Sequence, residues 1–126
     1  MGYRVLRNVA KDKKMYEYRA FVRKVYDGDT ITVDIDLGFE VMLKNQKLRL
    51  YGINTPEVRG ESRAQGLEVR DLVRSRIANK WIIVKTHRDK KGKYGRWLAE
   101  IYESGVEESL NDWLLSEGHA VEFMKG

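Results

Sequence analysis

The chain has no cysteine and only one proline in 126 residues. Without thiols there is no disulfide framework, no thiolate zinc site and no cysteine nucleophile, so a bound metal must sit on oxygens or on one of the two histidines. Long apolar runs are missing too. No stretch approaches the ~20 residues that cross a bilayer, and the first twenty residues alternate charged and apolar groups where a leader would carry an apolar core. The expectation is a protein that does not enter the membrane, cytoplasmic as written or secreted if a leader has been removed. Residues 97 to 124 lack Lys and Arg altogether while holding seven acids.

The remaining charge is strongly basic, +5 overall with a pI near 9.4. Residues 1 to 24 carry eight Lys or Arg against Asp12 and Glu17, and residues 85 to 96 carry six against Asp89. Segregation of this kind builds one positive surface, which a phosphate backbone requires. An apolar content of 42% is enough for a core without staples. We expect a single domain over 1–126, with a basic N-terminal extension at 1–18 and a core at 19–123, acting as a monomer.

Apolar and polar residues alternate from Tyr16 to Val25 and again from Ile31 to Asp36, with Asp27-Gly28-Asp29 between them, the pattern of a hairpin. A third alternating run from about Val41 to Tyr51 is interrupted at Asn45-Gln46, where a bulge fits. Pro56 forces Thr55 into an extended conformation, so Asn54-Thr55-Pro56-Glu57 reads as a fixed loop. Ser62 and Gln65 have capping-box spacing ahead of a helix from about Arg63 to Ala78. Trp81–Val84 and Arg96–Glu103 read as the fourth and fifth strands, joined by a basic, glycine-punctuated stretch, and Ser109 with Asp112 opens a second helix that Gly118 stops. Five short antiparallel strands with a helix between the third and fourth define the expected class: α+β, mainly β, a five-stranded OB-fold barrel with two or three helices.

Phosphodiester hydrolysis needs charge neutralisation around phosphate, an activated water and often a metal. Asp27 and Asp29 put two carboxylates at one strand end, where a hard cation such as Ca²⁺ finds oxygen ligands; an ordinary Asp-Gly hairpin has the same sequence. Arg49 binds a non-bridging phosphate oxygen well, and Glu57 orients or deprotonates water, the alternative being a surface ion pair between the two. Lys93-Tyr94-Gly95-Arg96 adds a second guanidinium beside an aromatic ring, where a plain basic hairpin is the competing reading. His87 and His119 stand isolated and read as structural or surface residues.

Taken together, DGDT at 27–30, Arg49 through Glu57, Lys93-Tyr94-Gly95-Arg96 followed by Leu98-Ala99, and Leu110-Asn111 resemble the staphylococcal nuclease family, also called thermonuclease-like, from about Phe21 to Val121. The resemblance implies a Ca²⁺-dependent endonuclease and exonuclease acting on DNA and RNA, cutting the 5′ P–O bond to leave 3′-phosphates. It implies Asp29, Asn54 and the Thr55 carbonyl as metal ligands, Glu57 as general base on metal-bound water, and Arg49 and Arg96 as the groups that stabilise five-coordinate phosphorus. Lys93 and Tyr94 would hold the neighbouring phosphate and sugar, with Asp27 in support. The chain departs from the family in having Asn54 where the best-known members have a second metal-ligating aspartate, and in a shortened loop, Val58-Arg59-Gly60-Glu61. Phe123 or Met124 falls near the family's nucleotide-contacting tyrosine. The alternative expectation is a non-catalytic nucleic-acid-binding OB-fold module with a degraded metal site.

Overall fold

A computed structural model describes residues 15–91 and 96–123, the side chains of Met15 and residues 87–91 excepted. Strands β1 (Met15–Asp27), β2 (Thr30–Asp36), β3 (Met42–Leu50), β5 (Trp81–Lys91) and β6 (Trp97–Glu103) close into a barrel in the order β1-β2-β3-β6-β5. The expected five-stranded barrel is therefore present. Ala20, Val22, Ile31, Val33, Ile35, Leu48, Leu50, Ile82, Val84, Ala99 and Ile101 fill it, the inward halves of the alternating runs. Expecting only antiparallel neighbours was wrong at one seam, because β3 and β6 run parallel, pairing Leu48, Arg49 and Leu50 with Trp97, Leu98 and Ala99. The reason is parity: a closed ring with an odd number of strands cannot alternate direction throughout.

Two further strands escaped sequence reading. Ile53–Asn54 (β4) pairs antiparallel with Val121–Glu122 (β7), a pairing of two residues each that has no periodicity to detect. Strand β5 also runs through Lys91, well past Val84, because it pairs with β1 as far as Met15↔His87 and with β6 again at Lys91↔Trp97. The bulge at Asn45 is present: its φ is +54°, and the β2–β3 register slips between Val33 and Ile35.

Helix α1 (Arg63–Ile77) turns Val69, Val73 and Ile77 toward the barrel, and the Arg74 guanidinium donates to the Val25 carbonyl at 3.0 and 3.2 Å. The expected capping box at Ser62 is absent. A 3-10 turn over Gly60–Ser62 leads directly into the helix, and the Ser62 hydroxyl donates instead to the Glu57 carbonyl at 3.0 Å. Helix α2 (Leu110–Ser116) has the expected cap, with the Asp112 N–H donating to Ser109 Oγ at 3.0 Å. Behind it, buried Asn111 receives the Ile101 N–H and donates to the carbonyls of Tyr51 and Ala99, tying α2 to β6 and to the turn after β3.

Two consequences for stability follow. A methyl group at Gly66 would lie 2.1 Å from the Glu57 carbonyl oxygen and 2.8 Å from that of Pro56. Overpacking against backbone, typically about 1–3 kcal/mol, outweighs the roughly 1 kcal/mol that alanine gains over glycine inside a helix. Gly66→Ala should therefore lower the urea midpoint, and a variant more stable than wild type would refute this account of the contact.

Buried Asp34 accepts the Asn45 N–H at 2.9 Å, a hydrogen bond from Arg23 Nε, and lies 3.6 Å from Lys44 Nζ. The Asn45 N–H first, and then Arg23, hold its carboxyl below the usual carboxylate range, against the opposing effect of burial. A depressed folded value means the contribution is complete above the unfolded value, about 3.9, and is lost as the pH falls below it. Thermal melts between about pH 5 and pH 3 should show wild type losing more stability than Asp34→Asn. Parallel decline of the two would argue against it.

Candidate active site

The β1–β2 turn gathers carboxylates at one end of the barrel. The Asp29 N–H donates to Asp27 Oδ1 at 3.2 Å, and the Asp29 carbonyl accepts the Leu50 N–H at 2.9 Å, which fastens the turn to the end of β3. Gly28 is required by proximity: a Cβ there would meet Val69 Cγ1 at 2.7 Å and Thr55 Cγ2 at 2.9 Å. The Asp29 side chain is buried. Its Oδ1 accepts the Thr30 hydroxyl at 3.1 Å and its Oδ2 accepts the Thr55 N–H at 3.0 Å. Burial, and then the hydrogen bond and negative charge of Asp29, push the Asp27 carboxyl up to about 7.

Two guanidinium groups approach the Asp29–Thr30 unit, Arg49 from β3 and Arg96 from just ahead of β6. Arg49 stands between Thr30 on β2 and Leu98 on β6, and its Nη2 lies 3.7 Å from Asp29 Oδ2. Both side chains are only 13% and 10% exposed, so solvent screens the pair weakly. Arg49 is further oriented by hydrogen bonds to the Ile53 carbonyl at 3.1 Å and to Asn54 Oδ1, and its guanidinium carbon lies 5.1 Å from the centroid of the Phe123 ring. Arg96, just ahead of β6, donates to Thr30 Oγ1 at 3.3 Å. The Thr30 hydroxyl thus connects Asp29 to Arg96, while Arg49 faces Asp29 directly.

Asp29, Arg49, Asn54, Thr55 and Arg96 therefore meet in one place, with Asp27 adjoining. Glu57 follows two residues after Thr55 with an exposed side chain, and the Arg49–Glu57 ion pair weighed from sequence is not formed; Arg49 pairs with Asp29. Lys93, Tyr94 and Met124 lie outside the described residues, as do residues 1–14 of the basic extension. His119 is half-buried, its ring centroid 5.6 Å from that of Trp113.

No group of three or more His, Asp or Glu side chains placed to hold a metal occurs among the described residues. A cation here would depend on mixed oxygen donors, and the donors fit one of hard character. The Asp29 carboxylate and Asn54 Oδ1 are at hand, and Thr55 Oγ1 is buried with no hydrogen-bond partner. Thr30 and Gly28 are important to this arrangement and carried no individual role from sequence, and Phe123, placed by the resemblance near the family's nucleotide-contacting tyrosine, lies against Arg49. Thr30 was inside the DGDT string, so its motif was visible although its bridging hydroxyl was not. Phe123 reaches Arg49 only through the β4–β7 pairing and the Phe123 N–H bond to the Gly52 carbonyl at 2.9 Å.

A family model described as staphylococcal nuclease homologue matches residues 47–125. The chain is 35% identical over 102 residues to a thermonuclease of Staphylococcus hyicus and 32% identical over 102 residues to one of Staphylococcus intermedius. Each alignment covers 79% of this chain and 56% of the relative. An uncharacterised protein of Methanocaldococcus jannaschii is 29% identical over 126 residues, covering 82% of this chain and 58% of that protein. The chain spans about half the length of the curated relatives it matches. No helix among the described residues is long and apolar enough to cross a membrane.

Proposed function

Because this chain belongs to the staphylococcal nuclease homologue family, we propose that it is a metal-dependent nuclease that hydrolyses phosphodiester bonds of DNA and RNA. The reading rests on one observation: Arg49 and Arg96 both converge on the Asp29–Thr30 unit, one through a 3.7 Å charge contact and the other through a 3.3 Å hydrogen bond. Two guanidinium groups around an otherwise anionic turn suit a phosphate on which negative charge builds during reaction.

In the proposed reaction Arg49 and Arg96 bind the non-bridging oxygens of the scissile phosphate and stabilise them as phosphorus becomes five-coordinate. Glu57 accepts a proton from the attacking water. A new P–O bond forms to that water oxygen, the bond from phosphorus to the 5′ oxygen breaks, and the departing oxygen takes a proton from solvent. The products are a 3′-phosphate and a free 5′-hydroxyl. Asp29, Asn54 and Thr55 would hold Ca²⁺, which when bound polarises a phosphoryl oxygen and adds positive charge. The Asp27 carboxyl supports Asp29 by accepting the Asp29 backbone N–H, and Lys93 with Tyr94 is assigned to the neighbouring phosphate and sugar.

Digestion of plasmid and single-stranded substrates with Ca²⁺, and with chelator in its place, tests the activity. Arg49→Ala or Arg96→Ala should lower kcat about 10²–10³-fold in a folded protein. Absence of cleavage by folded wild type at every metal concentration would end the nuclease reading.

A second reading is favoured by Asn54, a neutral amide whose oxygen is already engaged by Arg49: a nucleic-acid-binding barrel without turnover. Its mark is binding that does not lead to cutting. Because Ca²⁺ affinity in oxygen sites follows ligand charge, Asn54→Asp should lower the Ca²⁺ concentration needed for half-maximal cleavage. No change in that concentration would show that residue 54 is not a ligand.

A further inference from the structure

The outer face of β1, β2 and β3 holds an open groove of about 410 Å³ lined by Lys24, Tyr26, Thr30, Thr32, Lys47 and Arg96. Thr30 and Arg96 at one end belong to the centre described above, whereas Lys24, Tyr26, Thr32 and Lys47 have no part in it. We propose that this groove binds a second phosphate of the substrate strand through Lys24 and Lys47, on the other side of the scissile phosphate from the one assigned to Lys93 and Tyr94. The proposal rests on the nuclease reading for its orientation, though not for its binding test.

The register builds the subsite. Lys24 on β1 pairs with Thr32 on β2, and Thr32 pairs with Lys47 on β3, so the three lie in one row across the sheet. Neighbouring strands are about 4.8 Å apart, which puts the two lysine stems roughly 10 Å apart on either side of a short hydroxyl side chain. Two ammonium groups on flexible stems reach a common anion across that gap. The next outward position along β2 is Thr30, one strand repeat or about 7 Å away, a step comparable to that between successive phosphates of an extended nucleic-acid strand.

Charge pairing separates this row from the rest of the same face. Arg19 is paired with Asp36, and both Arg23 and Lys44 with Asp34. Lys24 and Lys47 have no ion pair among the described residues. Like charges close together on a sheet face oppose folding, so an uncompensated pair suits an anion brought from outside. Tyr26, 46% exposed at the rim, offers a ring on which a base can stack.

The test compares wild type with Lys24→Gln/Lys47→Gln on two substrates, an oligothymidylate octamer and the dinucleoside monophosphate, which has one phosphodiester and no neighbouring phosphate. The ratio of the two kcat/KM values should fall about tenfold in the variant, and octamer binding in chelator should show a salt slope shallower by about one. Lys80→Gln/Lys85→Gln, with the same net charge, should retain the wild-type ratio and slope. An unchanged ratio and slope in the groove variant, or an equal fall in the control, overturns the subsite. If wild type binds the octamer and cuts nothing, the nuclease reading fails and the salt slope in chelator alone decides the groove.

Discussion

A ring of five strands must contain at least one parallel seam, and the position of that seam organises everything near the site. Here it lies between β3 and β6, two strands far apart in sequence that no local turn connects. Closing it sets Arg49 beside Leu98 and brings Arg96, at the entrance to β6, against Thr30 on the other flank of Arg49. An open sheet with the same strands would leave the two guanidinium groups on unpaired edges. Barrel closure therefore serves both stability, by removing edges, and the convergence of charge.

The buried carboxylate at the centre imposes the second constraint. Asp29 is nearly covered, and an ionised group at that depth is tolerated only when its oxygens are satisfied. The Thr30 hydroxyl, the Thr55 N–H and the facing Arg49 provide that satisfaction. The Thr55 N–H bond also explains why Asp-Gly-Asp holds the loop after β3: Gly28 lets Thr55 and Val69 of α1 come within contact, which no larger residue permits. Hairpin turn, the loop after β3 and helix are thus packed as one unit, and a disturbance at Gly28 or Gly66 would be felt by Glu57.

Charge is handled differently at the two ends of the β1–β2–β3 face. Toward Asp34 and Asp36 every basic neighbour in the row has an internal partner, and the Asn45 bulge supplies Asp34 with a backbone N–H. Toward the site the lysines stand without such partners among the described residues, leaving positive potential where a polyanion would arrive. Attraction of this kind raises encounter rates and falls with salt.

The five principal strands, both helices, the Asn45 bulge and the loop fixed by Pro56 were legible in the chain, because each depends on alternation, helical spacing or local turn chemistry. Of the residues in the motif strings, Asp27, Asp29, Arg49, Asn54, Thr55 and Arg96 are brought together at one end of the barrel. Sequence could not supply the parallel seam, the β4–β7 pair, the contact of Phe123 with Arg49, or the role of Thr30 between Asp29 and Arg96. Those depend on which strand closes the ring and on contacts between residues more than sixty positions apart, and local pattern carries no information about either. The same limit explains Ser62, whose capping-box spacing was outcompeted by the Glu57 carbonyl once α1 had packed against that loop. Chemistry was therefore written into residue types along the chain, while proximity was decided by closure of the barrel.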